Sequence, residues 1–175
     1  MGVRSILCVA RIHPQKNLEL LCELANRNKD VDFFLIGGCS NEYSTYAEKL
    51  LKLINDIDNI IYIGAVDNPQ DYMLNSDAMI LTSKYEGLPM AILEAMSIGL
   101  PIISTPVGSI LGVLRGVDFL ADDVSLEALN LQVRKYINAE DNEISRLIFK
   151  SKERFKENYS LARFVSNNLE IYKSK

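Results

Sequence analysis

Between Ser83 and Gly99 the chain reads Ser-Lys-Tyr-Glu-Gly-Leu-Pro-Met-Ala-Ile-Leu-Glu-Ala-Met-Ser-Ile-Gly, which sets two carboxylates, Glu86 and Glu94, around a turn-to-helix junction. Pro89 suits the first helical position and Gly99 the stop, so Glu86 falls in the turn and Glu94 about one and a half turns into the helix. The free N–H groups at such a helix start, with the positive end of its dipole, attract an anion of phosphate size. Ionised carboxylates only accept hydrogen bonds, so two of them beside a phosphate suit the hydroxyls of a ribose and a sugar. The same spacing also fits a plainer arrangement, with Glu94 on a solvent stripe beside Met90 and Ser97 and Glu86 an ordinary turn residue. Arg11 and Lys16 carry the same ambiguity: they are either surface charges or a cation pair, at the end of a first strand, that neutralises a diphosphate facing Gly87.

Other chemistries are poorly served. Ala10-Arg11-Ile12-His13 stands where a dinucleotide fold needs closely spaced glycines, and no glycine is followed by Gly-Lys at the offset of a P-loop. Asp30-Val31-Asp32 and Asp56-Ile57-Asp58 both precede strands, on the wrong side of a sheet for a metal-nucleotide site. His13 is the single histidine, in a polar loop, and Cys8, Cys22 and Cys39 lack CxxC spacing, so three reduced core thiols and no metal site are expected. Lys and Arg total 19 against 23 Asp and Glu, a net charge of −4 without a basic block, which argues against nucleic acid or an anionic membrane as partner. With no apolar run of roughly 18 residues and no signal-like start, the expectation is a cytoplasmic protein.

These residues need a scaffold, and the hydrophobic pattern supplies one. Apolar runs at 5–10, 31–36, 59–63, 78–82 and 101–105 alternate with helical periods at 17–28, 43–54, 69–75 and 90–98, with a weaker strand at 116–121. Continuous apolar strands alternating with helices describe a parallel sheet covered on both faces, an α/β doubly wound, Rossmann-like fold. Three helical segments follow at 125–138, 141–158 and 160–173, the last an amphipathic tail with Phe164, Leu169, Ile171 and Tyr172. At 175 residues and without a Gly-, Pro- or Ser-rich linker, the chain reads as one domain over 1–175. Ligands of open α/β sheets lie beyond the carboxyl ends of the strands, which points to the loops 11–16, 37–41, 64–67, 83–90 and 106–111.

In these loops and their flanks the chain resembles the C-terminal, donor-binding domain of the group 1 glycosyl transferases, family 4, of GT-B architecture. The resemblance rests on Val9-Ala-Arg11 with Pro14-Gln-Lys16-Asn-Leu, on Phe34-Leu-Ile-Gly37-Gly38 and on Ile61-Tyr-Ile-Gly64. It continues through Ser83-Lys-Tyr-Glu86-Gly87-Leu-Pro89 and Ile92-Leu-Glu94-Ala-Met-Ser-Ile-Gly99 to Gly108. It implies a nucleotide sugar, UDP- or GDP-linked, held without a metal and without a further cofactor. Carried over by position, Arg11 and Lys16 contact the diphosphate, Glu94 the ribose hydroxyls and Glu86 the donor sugar. Gly87, Leu88 and Met90 supply backbone contacts, and Val66 borders the base.

The resemblance further implies a retaining hexosyl transfer to a glycan or lipid-linked acceptor, as in polysaccharide assembly, with Glu86, Arg11 and Lys16 as the catalytic set. Two departures stand out. Gly108 is followed by Ser109-Ile-Leu-Gly112, where the family often has a second glycine and then a glutamate, and the N-terminal acceptor domain has no counterpart in the 175 residues. The chain is therefore expected to bind the donor yet to be inactive alone, with the N-terminal domain as its partner and the source of any peripheral membrane contact. Two other readings fit the residues: the donor half of a nucleotide-sugar epimerase, or a non-catalytic nucleotide-sugar-binding subunit.

Overall fold

The computed structural model describes residues 4–163 together with Val165, Ser166 and Leu169. Six strands form one all-parallel sheet: β1 Arg4–Val9, β2 Val31–Ile36, β3 Ile60–Gly64, β4 Ala78–Leu81, β5 Ile102–Ser104 and β6 Phe119–Leu120. Their spatial order is β3-β2-β1-β4-β5-β6. The helices are α1 Leu18–Arg27, α2 Ser44–Asn55, α3 Pro69–Leu74, α4 Met90–Ile98, α5 Ile110–Leu114, α6 Leu126–Asn138 and α7 Asp141–Asn158.

Side chains alternate across a strand, and in the central strands both faces are buried, which is why those strands read as apolar runs, while edge strand β3 leaves Ile61 and Ile63 exposed. Ile6, Cys8, Phe33, Leu35, Ile80 and Ile103 face the core under α1, α2 and α6. Leu7, Ile36, Met79, Leu81 and Ile102 face a second core with residues of α3, α4, α5 and α7. Gly99 ends α4 in the left-handed region at φ 79°, and a Cβ there would stand 3.0 Å from Ile148 Cγ2 and Lys152 Cδ, so its bareness also lets α7 lie close.

The structure corrects several expectations. Cys39 is exposed, with its thiol donating to the Ser40 carbonyl at 3.2 Å, because it sits in the loop leaving β2 rather than in a strand. Only Cys8 and Cys22 are core thiols, and burial pushes both up to about 12. The last strand shrinks to Phe119–Leu120, since the Asp118 carboxylate takes the Ile102 N–H (2.7 Å) that a longer backbone ladder would have used. Helix α5 occupies part of the expected loop 106–111; at five residues around Gly112 it is too short to show a period, and Ile110, Val113 and Leu114 anchor it in the second core. The helix expected at 160–173 is present where it is described, at Leu161, Ala162, Arg163, Val165, Ser166 and the exposed Leu169, while half of the segment, including Phe164, Ile171 and Tyr172, lies outside the described residues.

Candidate nucleotide-sugar site

The chain winds β1, β2, β3 toward one edge and then returns to lay β4 on the other side of β1, so the β1 and β4 exits diverge around a crevice. The exits are laced together by backbone. Ala10 N–H donates to the Ile36 carbonyl at 2.9 Å, Ile12 N–H to Gly38 at 2.8 Å and Gly37 N–H to Gly64 at 2.8 Å. Gly37 lies at φ 144°, and a Cβ there would fall 2.0 Å from the Ala10 carbonyl oxygen, so only glycine lets the β2 exit run this close to Arg11.

After Arg11 the chain turns through a short 3₁₀ segment, Pro14–Lys16, capped by His13, whose Nδ1 accepts from the Gln15 N–H at 3.1 Å. His13 is thus a loop residue with a local task, its ring edge-on to Tyr43 at 4.2 Å between centroids. Asn17 follows at φ 52°, a left-handed position that turns the chain into α1. This turn is stitched to the β4 exit: Lys84 N–H donates to the Gln15 carbonyl (2.9 Å), Gln15 Nε2 to the Tyr85 carbonyl (2.8 Å) and Thr82 Oγ1 to the Lys16 carbonyl (2.7 Å).

The result brings Lys16 onto Glu86. The ammonium lies 2.5 Å from Glu86 Oε1, which also accepts from Ser83 Oγ at 2.7 Å, and the two charged side chains are only 15% and 8% exposed. The loop that carries Glu86 is held from the β5 side as well. Thr105 Oγ1 donates to the Ser83 carbonyl at 2.8 Å, Ser109 Oγ donates to the Gly87 carbonyl, and Gly108 packs bare against the Glu86 carbonyl. Ser109, where the family often has a second glycine, therefore serves as a clamp on this loop.

Pro89 proves to be the cap residue rather than the first helical one, and α4 begins at Met90 without a side-chain cap. Free N–H groups at this start border a cavity of about 370 Å³. Its walls come from Val9, Arg11 and Lys16, from Ile36 to Gly38, from Ala65 and Val66, and from Pro89, Met90 and Ala91. Of the residues expected at a site, the structure brings Arg11, Lys16, Val66 and Met90 to one cavity. Glu86 joins through its pairing with Lys16, while Gly87 and Leu88 are exposed beside it. Glu94 is half-buried on α4, outside the cavity lining. Arg11 is exposed and makes no ion pair with a described residue.

Sequence reading missed Ser83, Thr105, Ser109 and Gln15 as organisers of the Glu86 loop. Ser83, three residues before Glu86, carried a signal in that turn spacing; the others are distant in sequence. The two DxD triplets start or precede strands at the opposite edge, and Asp30 is engaged by Arg134 at 2.8 Å, which holds its carboxyl below the usual range. Among the described residues, no three His, Cys, Asp or Glu side chains gather as a metal would need.

The site is a cationic crevice at the switch point of a doubly wound sheet, lined by a helix start and by apolar residues, where open α/β sheets place ligands and helix starts attract anions. The family model described as glycosyl transferases group 1 matches residues 2–160, and the chain belongs to that family. The O-antigen biosynthesis glycosyltransferase WbnH of Escherichia coli is 27% identical over 157 residues, 90% of this chain and 44% of the relative. HepE of Anabaena, solved with UDP and glucose, superposes with a TM-score of 0.87 at 18% identity, over 99% of this chain and 49% of that one. The C-terminal domain of the group 1 protein LpcC of Francisella tularensis gives a TM-score of 0.77 at 18% identity, over 91% of this chain and 88% of that one. The chain thus spans less than half the length of the curated relative, and the likeness to a solved C-terminal domain is one of fold.

Proposed function

We propose that this chain is the donor-binding half of a retaining glycosyltransferase that moves a hexosyl group from a UDP- or GDP-linked sugar to a glycan or lipid-linked acceptor. The observation that carries the reading is the cavity at the β1–β4 crevice, where Arg11, Lys16 and the open start of α4 meet an apolar wall ending at Val66. On this reading the diphosphate lies against Arg11, Lys16 and the N–H groups of Met90 and Ala91, and the base beside Val66. Glu94 takes the ribose hydroxyls, and Glu86 with Gly87 and Leu88 meets the hexose. The acceptor side belongs to an N-terminal domain, as does any membrane contact.

Negative charge grows on the departing diphosphate as the glycosidic C–O bond breaks, so fixed cations there stabilise the transition state more than the bound donor. Arg11 and Lys16 fill that role without a metal. The acceptor hydroxyl attacks the anomeric carbon on the face the diphosphate leaves, and its proton passes to a phosphate oxygen, so configuration is retained. Glu86 suits a sugar-binding role better than that of a covalent nucleophile, because Ser83 Oγ continues to donate to its Oε1 when Lys16 turns to the diphosphate. The UDP and glucose found with HepE make uridine nucleotides the first probes to try.

Isothermal titration of the chain with UDP, GDP and ADP in EDTA, beside folded Lys16→Ala and Glu94→Ala variants, tests the proposal. One nucleoside diphosphate should bind without metal and lose at least about tenfold in affinity in each variant, as expected when a hydrogen bond to a charged group is removed. A folded chain that binds none of them, or binds equally well in both variants, would sink it.

A further inference from the structure

We infer that Glu86 competes with the donor's diphosphate for Lys16, so that the empty site keeps its cation neutralised and frees the carboxylate for the sugar only when phosphate arrives. The inference rests on the donor-site reading above. Lys16 lines the cavity while Glu86 does not, and the ammonium joins the two at 2.5 Å. A lysine is a compact charge on a flexible stem, able to turn from the carboxylate to a phosphate without moving the backbone. The backbone of the turn is fixed meanwhile, because its Gln15 and Lys16 carbonyls accept from Lys84 N–H and Thr82 Oγ1 across the crevice, and Gln15 Nε2 donates to the Tyr85 carbonyl.

Withdrawal of Lys16 leaves Glu86, only 8% exposed, with Ser83 as its one remaining donor among the described residues. An ionised carboxylate that loses a partner in such a place is penalised unless new donors reach it. A nucleotide sugar brings hydroxyl groups to that spot; a bare nucleoside diphosphate brings none. The exchange therefore favours the intact donor over the product left after transfer, and Glu86 recapturing Lys16 helps to expel that product. Ser83 is the positioning residue of the device, since it holds the same Oε1 that Lys16 releases.

Glu86→Gln is nearly isosteric and grips an ammonium less firmly. Titration with inorganic pyrophosphate, UDP and GDP in EDTA should show the variant binding pyrophosphate and the preferred nucleoside diphosphate about three- to tenfold more tightly than the parent chain. Glu86→Asp, which keeps the charge but shortens its reach, should move the same way by less. Equal or weaker binding by either folded variant overturns the inference. So does loss of fold in both, seen by circular dichroism, which would make Glu86 a stability residue. The donor-site reading fails separately: it falls if the parent chain and Lys16→Ala bind alike or not at all. Parent binding that Lys16→Ala abolishes and Glu86→Gln fails to strengthen leaves that reading standing and removes only this one.

Discussion

At the scale of single residues, the candidate site is built from contacts too close for ordinary side chains. Gly108 lies at φ 56°, and a Cβ placed there would stand 1.8 Å from the Glu86 carbonyl oxygen. Gly112, four residues on inside α5, has nothing within 4 Å of such a Cβ. The same substitution should therefore have opposite signs at the two positions. Gly108→Ala meets backbone and a strained conformation, and should lower unfolding free energy by about 2 kcal/mol or more while loosening the Glu86 loop. Gly112→Ala replaces a poor helix former by a good one in open space, and should be neutral or stabilising by roughly 0.5–1 kcal/mol. Urea unfolding of both variants checks the pair; a Gly108→Ala protein as stable as its parent would mean that the β5 exit does not brace the Glu86 loop.

Among the elements, α7 is joined to the sheet by a group at odds with its surroundings. Asp118 turns its carboxylate inward, accepting from Ile102 N–H at 2.7 Å and from Ser151 Oγ at 3.0 Å, and burial raises it from 3.8 to about 7 despite those bonds and the nearby Arg154. Between these two values the unfolded chain has released the proton that the folded chain retains, so stability falls as pH rises through that window, by up to about 1.4 kcal/mol per unit. Asp118→Asn can keep both contacts, with its carbonyl facing Ile102 and its amide facing Ser151, yet has no proton to lose. Its melting temperature should exceed the parent's by several degrees at pH 8 and converge with it near pH 4, in thermal scans across that range. Parallel curves would refute the buried charge.

The same scale shows what could be read from sequence. Strand β2 and helix α4 run where their residues predict them, since an unbroken apolar strand and a Pro-to-Gly helix are local patterns. The face Leu21, Cys22 and Ala25 give α1 is likewise buried. The pairing of Glu86 with Lys16 is another kind of fact: 70 residues separate them, and only the β1–β4 neighbourhood brings them together. Helix α5 and the exposure of Cys39 also depend on tertiary placement, the former on the second core and the latter on a loop turned outward.

Over the whole molecule, the carboxyl edge of the sheet is open. Tyr85, Leu88 and Met90 are 60%, 40% and 64% exposed around the crevice, and the chain spans 44% of the E. coli relative. Apolar side chains bordering a site for a charged ligand belong beneath a second wall, which on the proposed reading is the N-terminal domain. On that reading, the 175 residues tested alone would offer phosphate and sugar one wall, without the second that would exclude water and hold an acceptor hydroxyl against the anomeric carbon. Such positioning accounts for about 7–11 kcal/mol of barrier lowering in well-oriented reactions, so its absence should abolish turnover while sparing binding. The isolated chain is thus expected to bind its nucleotide sugar weakly, with Kd about 0.1 mM or above, equivalent to roughly 5 kcal/mol. It should release no nucleoside diphosphate above the uncatalysed rate when incubated with that sugar nucleotide and a range of glycan acceptors, followed by a coupled assay for UDP or GDP. Acceptor-dependent release by this chain alone, at turnovers of about 1 per second or more as ordinary enzymes achieve, would show that the single wall suffices and that the second is not needed for chemistry.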